Sequence, residues 1–224
     1  MKLRFSNQRI QAFTLPELLV IIGILALMAF MIDSGTATQA AKRRAQRINC
    51  VSNLKQVNLS LRIWEGNHDN KYPMSVSVTN GGAMELIATN NLAAVFLAMT
   101  NELSTPKILI CPVDESRFPA TSFATNFSNA NINYFICPDA NPSYPQQVMS
   151  GDDNLAINDV PVKSGLVVFP SNGQVSWTGA RHKFVGNIGY ADGSVAEVSS
   201  SGLQSLFILA TNGTPTSIIR FAIP

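Results

Sequence analysis

The chain starts with one long apolar segment and then changes to shorter, interrupted apolar runs. Residues 12–32 read AFTLPELLVIIGILALMAFMI, in which Glu17 is the one charged side chain. A helix rises about 1.5 Å per residue, so the roughly twenty residues from Phe13 to Ile32 would span about 30 Å. Because this is the thickness of a bilayer's hydrocarbon core, the segment predicts a helix that can cross a membrane.

A second helical region follows a polar break, DSGT, at residues 33–36. Residues 37–64 contain neither Pro nor Gly, which favours an uninterrupted helix. Lys55, Asn58 and Arg62 point away from its apolar stripe, so we expect one face to pack and the other to be solvated. The stripe has spacings of 4, 3, 4 and 3 and consists of Cys50, Leu54, Val57, Leu61 and Trp64.

After Gly66 the pattern changes to short apolar runs separated by Asn, Asp, Gly, Ser and Pro, which is typical of strands and loops. Residues 85–99 are the best candidate for one more helix, although Asn90 and Asn91 interrupt them. About 160 residues suffice for one domain with its own core, so we expect an α+β head. The candidate strands are residues 108–111, 133–136, 166–169, 187–191 and 194–198.

The charge balance excludes a general nucleic-acid binder, which needs a strongly basic face. The chain has 16 Lys and Arg against 14 Asp and Glu, and three of the basic residues precede the apolar segment. Without them the chain is close to neutral. A basic cluster beyond the apolar segment predicts a solvated helix face, with acidic lipid headgroups or a neighbouring subunit's acidic residues as alternative contacts. It consists of Lys42, Arg43, Arg44 and Arg47.

Glu17 is the residue that an ordinary membrane anchor or signal peptide does not explain. An ionisable group in hydrocarbon costs several kcal/mol unless a partner offsets the cost. Thr14 and Glu17 also have the spacing of a capping box, and Pro16 is tolerated in the first turn of a helix. Residues 13–17, FTLPE, resemble the Phe-Thr-Leu-x-Glu motif of type IV pilins and type II secretion pseudopilins.

In this prepilin family a peptidase cuts before the Phe and methylates the new N-terminus. The Glu then pairs with the terminal amine of a neighbouring subunit during filament assembly. The resemblance therefore implies cleavage between Ala12 and Phe13, N-methylation of Phe13 and an assembly role for Glu17. Ala12 departs from the Gly that usually precedes the cut. The implied α+β fold is pilin-like: a long N-terminal helix, membrane-spanning in its first half, packed on an antiparallel β-sheet head.

The family pattern also implies a location and a domain organisation. The motif places the leader in the cytoplasm and the remaining chain outside. We therefore expect a single-pass protein of the bacterial inner membrane with its head in the periplasm or outside the cell. The expected parts are a leader peptide at residues 1–12, a transmembrane and assembly helix at 13–35, its amphipathic continuation at 36–65 and a globular α+β head at 66–224.

A cleavable secretory signal is the alternative interpretation of the first forty residues. Its apolar core would be residues 18–32, and residues 37–40 would supply the small-residue cleavage site. Glu17, acidic at the edge of that core, opposes this interpretation. The basic region would consist of Lys2, Arg4 and Arg9.

A second stretch, residues 181–194, has nine residues between His182 and the pair Asp192-Gly193. This spacing looks like the H-x9-DG signature of a group of prepilin-like bacterial proteins. The pair also predicts a hairpin with a type I′ turn, beside which His182 caps or packs. Three further stretches are similar to the same group: residues 50–56 (CVSNLKQ), 110–114 (ICPVD) and 144–154 (YPQQVMSGDDN).

The sequence does not predict an enzyme. It contains no Gly-x-Ser-x-Gly elbow and no Cys-His pairing of recognised spacing. With His68 and His182 as its two histidines, the chain offers few ligands for a catalytic zinc ion. We expect no required cofactor. Asp152, Asp153 and Asp159 offer oxygen ligands for calcium, which related pseudopilins bind, and ordinary turn formation by Asp is the alternative.

Three cysteines, Cys50, Cys111 and Cys137, allow one intramolecular disulfide. Export would place them in an oxidising compartment. We favour the pair Cys50 and Cys111, because Cys50 lies on the packing stripe and Cys111 closes a predicted strand. Buried free thiols are the alternative.

We therefore expect a structural subunit of a type II secretion pseudopilus, inserted in the inner membrane and assembled into a homo-oligomeric filament through its N-terminal helix. The expected partners are further copies of the chain, a prepilin peptidase, the secretion or pilus assembly machinery and the membrane, without nucleic acid. Two alternative functions stay open: a type IV pilus subunit for adhesion or motility, and a monomeric membrane-anchored module that binds the envelope.

Overall fold

The computed structural model describes residues 13–32, 35–169, 173–212 and 219–224. The predicted leader, with Ala12 at its end, lies outside these described residues. The chain divides into two compact units, Met1–Arg43 and Arg44–Pro224, and the division falls inside a helix.

Two helices contribute to the first unit. Helix α1 spans Leu15–Ile32, and helix α2, Gly35–Gly66, continues into the second unit. Glu17 makes the carboxylate half of the predicted capping box, because its Oε2 accepts a hydrogen bond of 2.9 Å from the backbone N–H of Thr14. The Thr14 hydroxyl donates to the same oxygen at 2.7 Å. These bonds satisfy a backbone donor that a helix start leaves without an intrahelical partner.

The large apolar side chains of α1 as far as Met28 are exposed in all directions around the helix. Nine exposed large apolar residues fall between positions 18 and 28, too densely for a single stripe. The helix therefore has an apolar surface all round. The exposed side chains in and beside α1 are Phe13, Leu15, Leu18, Leu19, Val20, Ile21, Ile22, Ile24, Leu25, Leu27 and Met28.

The prediction of a membrane-spanning first half for a long pilin-like helix is wrong. No helix within the described residues combines the length and apolarity needed to cross a membrane. Helix α1 has 18 residues, which at about 1.5 Å per residue is shorter than the bilayer core of about 30 Å. Helix α2 is longer but contains the basic cluster. The predicted single-pass location in the bacterial inner membrane is corrected by the same finding.

The apolar stripe of α2 is confirmed as a packing face. Its five residues, from Cys50 to Trp64, are all buried. The prediction of a solvated Asn58 is wrong, since this residue is also fully buried. Its Oδ1 accepts a hydrogen bond of 2.5 Å from the Ser150 hydroxyl, and its Nδ2 donates to the Ser194 carbonyl. Asn58 is buried because polar partners meet it there.

The described part of the second unit contains two antiparallel sheets, which make it α+β. The larger has the order β5-β9-β1-β2-β7-β8, and the smaller has the order β4-β3-β6. The strands are β1 Tyr134–Ile136, β2 Val148–Asp152, β3 Leu155–Ile157, β4 Val160–Pro161, β5 Gly165–Phe169, β6 Val175–Trp177, β7 Val185–Tyr190, β8 Val195–Ser199 and β9 Ile219–Ile223.

The remaining helices correct two sequence expectations. Residues 85–99 are not one helix, because Asn90 adopts a left-handed φ of 60° that ends the first segment. Residues 108–111 are not a strand, because Pro106 starts a 3₁₀ helix, Pro106–Leu109, that Thr105 caps. The remaining α-helices are α3 Met84–Ile87, α4 Ala93–Ala98, α5 Thr100–Leu103 and α6 Ser200–Asn212. Three further 3₁₀ helices span Pro73–Ser75, Val78–Asn80 and Asn129–Asn131.

The predicted hairpin at Asp192-Gly193 is present between β7 and β8, but its turn is not type I′. Asp192 is not among the residues with positive φ, whereas Gly193 has a φ of 89°. The Gly193 N–H donates to the Tyr190 carbonyl at 2.9 Å, which closes a turn of ordinary hand before the left-handed Gly193. The type I′ signature belongs instead to Asn158 and Asp159, with φ of 50° and 62°, between β3 and β4.

Candidate functional site: a buried polar cluster

The four sequence stretches that resemble the H-x9-DG group contribute to one buried cluster in the second unit. Helix α2 supplies Cys50, and the segment after the 3₁₀ helix Pro106–Leu109 supplies Cys111, Asp114 and Arg117. The other members come from the residue before β1, from β2 and the residue after it, from the loop between β6 and β7, and from β7. The polar cluster consists of Cys50, Cys111, Asp114, Arg117, Asn133, Asp152, Asp153, Arg181, His182 and Asn187.

A disulfide joins Cys50 of α2 to Cys111, the pair that the sequence favoured. Their Cα atoms are 4.9 Å apart. The Nε2 atom of His182 lies 3.4 Å from the Cys111 sulfur. Since all three residues are buried, α2 is fixed covalently to the head at a point that solvent does not reach. Cys137 is a buried free thiol, and burial raises its pKa to about 12.

Asp152 is the carboxylate nearest to His182, with 3.6 Å between Oδ2 and Nε2. The same Oδ2 accepts the backbone N–H of Asn187 at 2.8 Å and its side-chain amide at 2.9 Å. Burial raises the pKa of Asp152, and the charges of Arg181 and His182 oppose that shift. Burial also lowers the pKa of His182, which favours a neutral imidazole.

Asp153 pairs with two guanidinium groups, those of Arg117 and Arg181. The Arg181 side chain is 6% exposed and that of Asp153 is 3% exposed, so the second pair is withdrawn from solvent. Arg181 also donates to the Asn133 carbonyl at 3.2 Å. A buried charge is tolerated only when it is paired in this way. The ion pairs therefore join β2, the loop at Arg117 and the loop at Arg181.

Asn133 connects this charged group to the disulfide. Its Oδ1 accepts the backbone N–H of Cys111 at 2.9 Å, and its Nδ2 donates to Asp114 Oδ2 at 2.6 Å. Burial acts to raise the pKa of Asp114, but hydrogen bonds from Ser116 and the charge of Arg181 lower it overall. Asp114 is thus held as a carboxylate.

These groups connect segments of the head to one another. The disulfide, the imidazole and the Asp152 carboxylate are all buried. An open surface depression of about 290 Å³ is lined by Ile157 and residues 160–167. None of these residues belongs to the polar cluster. The Sγ atoms of Cys50 and Cys111 and a ring nitrogen of His182 lie within 4.8 Å of one another, close enough for three ligands of one metal ion.

The three acidic residues of the predicted calcium site lie in different surroundings. Asp152 and Asp153 are buried in the polar cluster, whereas Asp159 is exposed in the turn between β3 and β4. Two guanidinium groups already neutralise Asp153, which opposes a divalent cation at that carboxylate. Calcium binding stays a prediction from the sequence.

No protein-family model matches the chain, and neither a curated protein nor a solved structure is significantly similar to it. The resemblance to prepilin-like proteins therefore depends on the motifs alone. Of those motifs, His182 enters the cluster, while Asp192 and Gly193 form the β7–β8 turn. Phe13 and Glu17 lie at the start of α1, in the first unit.

Sequence reasoning missed Arg117, Asn133 and Asn187. Asn187 lies inside the stretch that carries the H-x9-DG signature, so its position offered a signal. Arg117 and Asn133 lie outside all of the motif stretches, and only the fold brings them to Asp153 and Cys111. No local periodicity pairs residues so far apart in the chain.

Proposed function

We propose that the chain is a structural subunit of a type II secretion pseudopilus, assembled into a filament through α1. The observation that carries the proposal is the apolar surface of α1, whose large side chains are exposed all round the helix. The proposal contains no membrane span, since no helix of the described residues has the length and apolarity to cross one.

The physical argument starts from the free energy of exposing this surface. A helix that is apolar all round is normally buried, because burial is worth about 25 cal/mol per Å² of apolar surface. A filament core built from many copies of α1 would cover every side of the helix at once. A single docking groove would leave one side of the same helix in water, so the all-round pattern favours assembly among like helices.

Glu17 provides the charge that such a core needs to set the register between subunits. The carboxylate is fully exposed, and hydrogen bonds from the Thr14 side chain and backbone lower its pKa. It is therefore ionised at neutral pH and suits a cationic partner. In the family that residues 13–17 resemble, that partner is the terminal amine of a neighbouring subunit. The prepilin peptidase and the secretion machinery are the other proposed partners.

The second unit has the properties of a subunit head. Its polar cluster and disulfide fix α2 to the sheet without exposing any reactive group. Such a head would remain folded while α1 exchanges solvent for contacts with other copies. We therefore assign the chemistry of the chain to assembly and not to catalysis.

Mass spectrometry of the mature N-terminus tests this function first. Protein from the producing cells should begin at N-methylated Phe13, as prepilin processing requires. A mature chain that begins near Ala40 would instead indicate a cleaved secretory signal and would overturn the proposal.

Sedimentation of the processed chain tests the role of α1. The double variant Leu19→Gln/Ile22→Gln should stay in the supernatant, because polar amides in the filament core lose their hydrogen bonds to water. The matched control Phe118→Gln/Tyr144→Gln changes two exposed apolar residues of the head and should sediment like wild type. Equal sedimentation of the α1 variant and wild type would contradict the proposal.

A further inference from the structure

We infer that the dithiol form of the chain binds one zinc ion through Cys50, Cys111 and His182, in place of the disulfide, with Asp152 beside the imidazole. This inference concerns the second unit alone and does not depend on filament assembly. The donor set contains two thiols and one imidazole, all from residues that are buried. Cysteine and histidine with tetrahedral geometry are the usual ligands of structural zinc.

The three donor atoms are close enough to share one zinc ion, since they all lie within 4.8 Å of one another. Zinc bonds of about 2.3 Å to sulfur and about 2.0 Å to nitrogen give ligand-to-ligand edges of roughly 3.5 Å. The observed separation of His182 Nε2 from Cys111 Sγ is 3.4 Å. The two sulfur atoms, once no longer bonded to each other, need to separate to about 3.8 Å, which small side-chain rotations supply.

The surroundings favour a metal at this position. Among the described residues, the buried Asp152 Oδ1 has no hydrogen-bond partner, while Oδ2 is fixed by Asn187. A carboxylate that hydrogen bonds hold beside a ligating imidazole is a regular feature of metal sites. Two thiolates cancel the charge of Zn²⁺, and the buried Arg181 guanidinium is near enough to the neighbouring Asp152 to act on its charge.

The chain is synthesised with thiols, so the dithiol form precedes the disulfide and needs no reductant. Zinc binding displaces one proton from each thiol to solvent, and the neutral imidazole coordinates through Nε2. A disulfide contains no thiolate that could bind zinc, so the disulfide form and the zinc-bound form exclude each other. The Cys50–Cys111 pair would thus connect α2 to the head either covalently or through the metal.

The test uses the full chain, reduced with a phosphine that becomes a phosphine oxide by taking the oxygen of one water molecule. Two electrons and two protons thereby reach the sulfur atoms. After zinc addition and desalting, the reduced wild type should hold one zinc per chain and the oxidised wild type none. Cobalt in place of zinc should give the thiolate charge-transfer band and strong visible bands of a tetrahedral site.

Variants identify the ligands. His182→Gln keeps both thiols. Its loss of zinc affinity should exceed the about 10–100-fold loss that is typical when a residue around the ligands of a metal site is replaced. Cys137→Ser, which removes the thiol outside the cluster, should bind zinc like wild type. Zinc should also raise the Tm of the reduced wild type. A folded, reduced wild type with no zinc and no shift in Tm would overturn the inference, as would wild-type affinity in His182→Gln.

Discussion

At the scale of single residues, the packing of α2 on the sheet depends on Gly189 in β7. A Cβ atom at this position would lie 2.1 Å from Asn58 Nδ2 and 2.5 Å from the Ser150 hydroxyl oxygen. No real Cβ contact is that short, so a larger residue would displace the buried amide from its partners. The glycine is required here for close approach of helix and strand, and not for a special φ.

Gly189→Ala should therefore destabilise the head by about 1–3 kcal/mol, the usual cost of overpacking a core. Chemical denaturation measures the free energy of unfolding. Gly66→Ala is the matched control, because a Cβ there meets nothing within 4 Å, and its stability should equal or exceed that of wild type. Equal stability of the two variants would contradict the packing that the structure describes.

The residue scale also shows what sequence reasoning can and cannot find. The buried stripe from Cys50 to Trp64 could be predicted, because helical spacing alone puts its members on one face. The burial of Asn58 could not, since it depends on Ser150, 92 residues away in the chain. Arg117 likewise becomes a cluster residue only because folding brings Asp153 to it.

At the scale of elements, the ion pairs of Asp153 hold together segments that the hydrogen bonds of the sheet do not join. Asp153 follows β2, Arg117 belongs to the segment after the 3₁₀ helix Pro106–Leu109, and Arg181 lies between β6 and β7. Removing one partner from a buried ion pair costs more than the pair contributes, because the remaining charge is left without compensation.

Asp153→Asn should cost about 3–5 kcal/mol of unfolding free energy, because it leaves the buried Arg181 without its carboxylate. The control Glu197→Gln breaks the pair with Arg47, in which the Arg47 side chain is 39% exposed and the Glu197 side chain is 47% exposed. It should cost less than about 1 kcal/mol, as is usual for a surface pair. Urea denaturation compares both variants with wild type, and a cost below about 1 kcal/mol for Asp153→Asn would refute the account of the cluster.

Elements with a strong local pattern could be predicted, and elements set by a single residue could not. The strands at residues 187–191 and 194–198 are confirmed as β7 and β8, because alternation and a Gly-containing turn define them. The helix predicted at residues 85–99 is broken at Asn90, where one left-handed residue outweighs the apolar pattern on both sides. Helix α6 is absent from the sequence expectations, although Leu203 and Phe207, which are four residues apart and both buried, have helical spacing.

At the scale of the whole molecule, the chain combines an apolar helix, α1, with a head that contains a buried polar cluster. The α+β class of the head could be predicted from the change in pattern after Gly66. The membrane span could not, because apolar composition alone does not fix where a helix ends. Helix α1 ends at Ile32 and a separate helix begins at Gly35.

Electron microscopy of the full, processed chain tests the proposed assembly most directly. Wild type should form regular filaments, and Glu17→Ala should form none, because the charge that pairs with the neighbouring amine is lost. The control Glu115→Ala removes an exposed carboxylate of the head and should leave the filaments unchanged. Filaments of Glu17→Ala with the length and order of wild type would contradict the account.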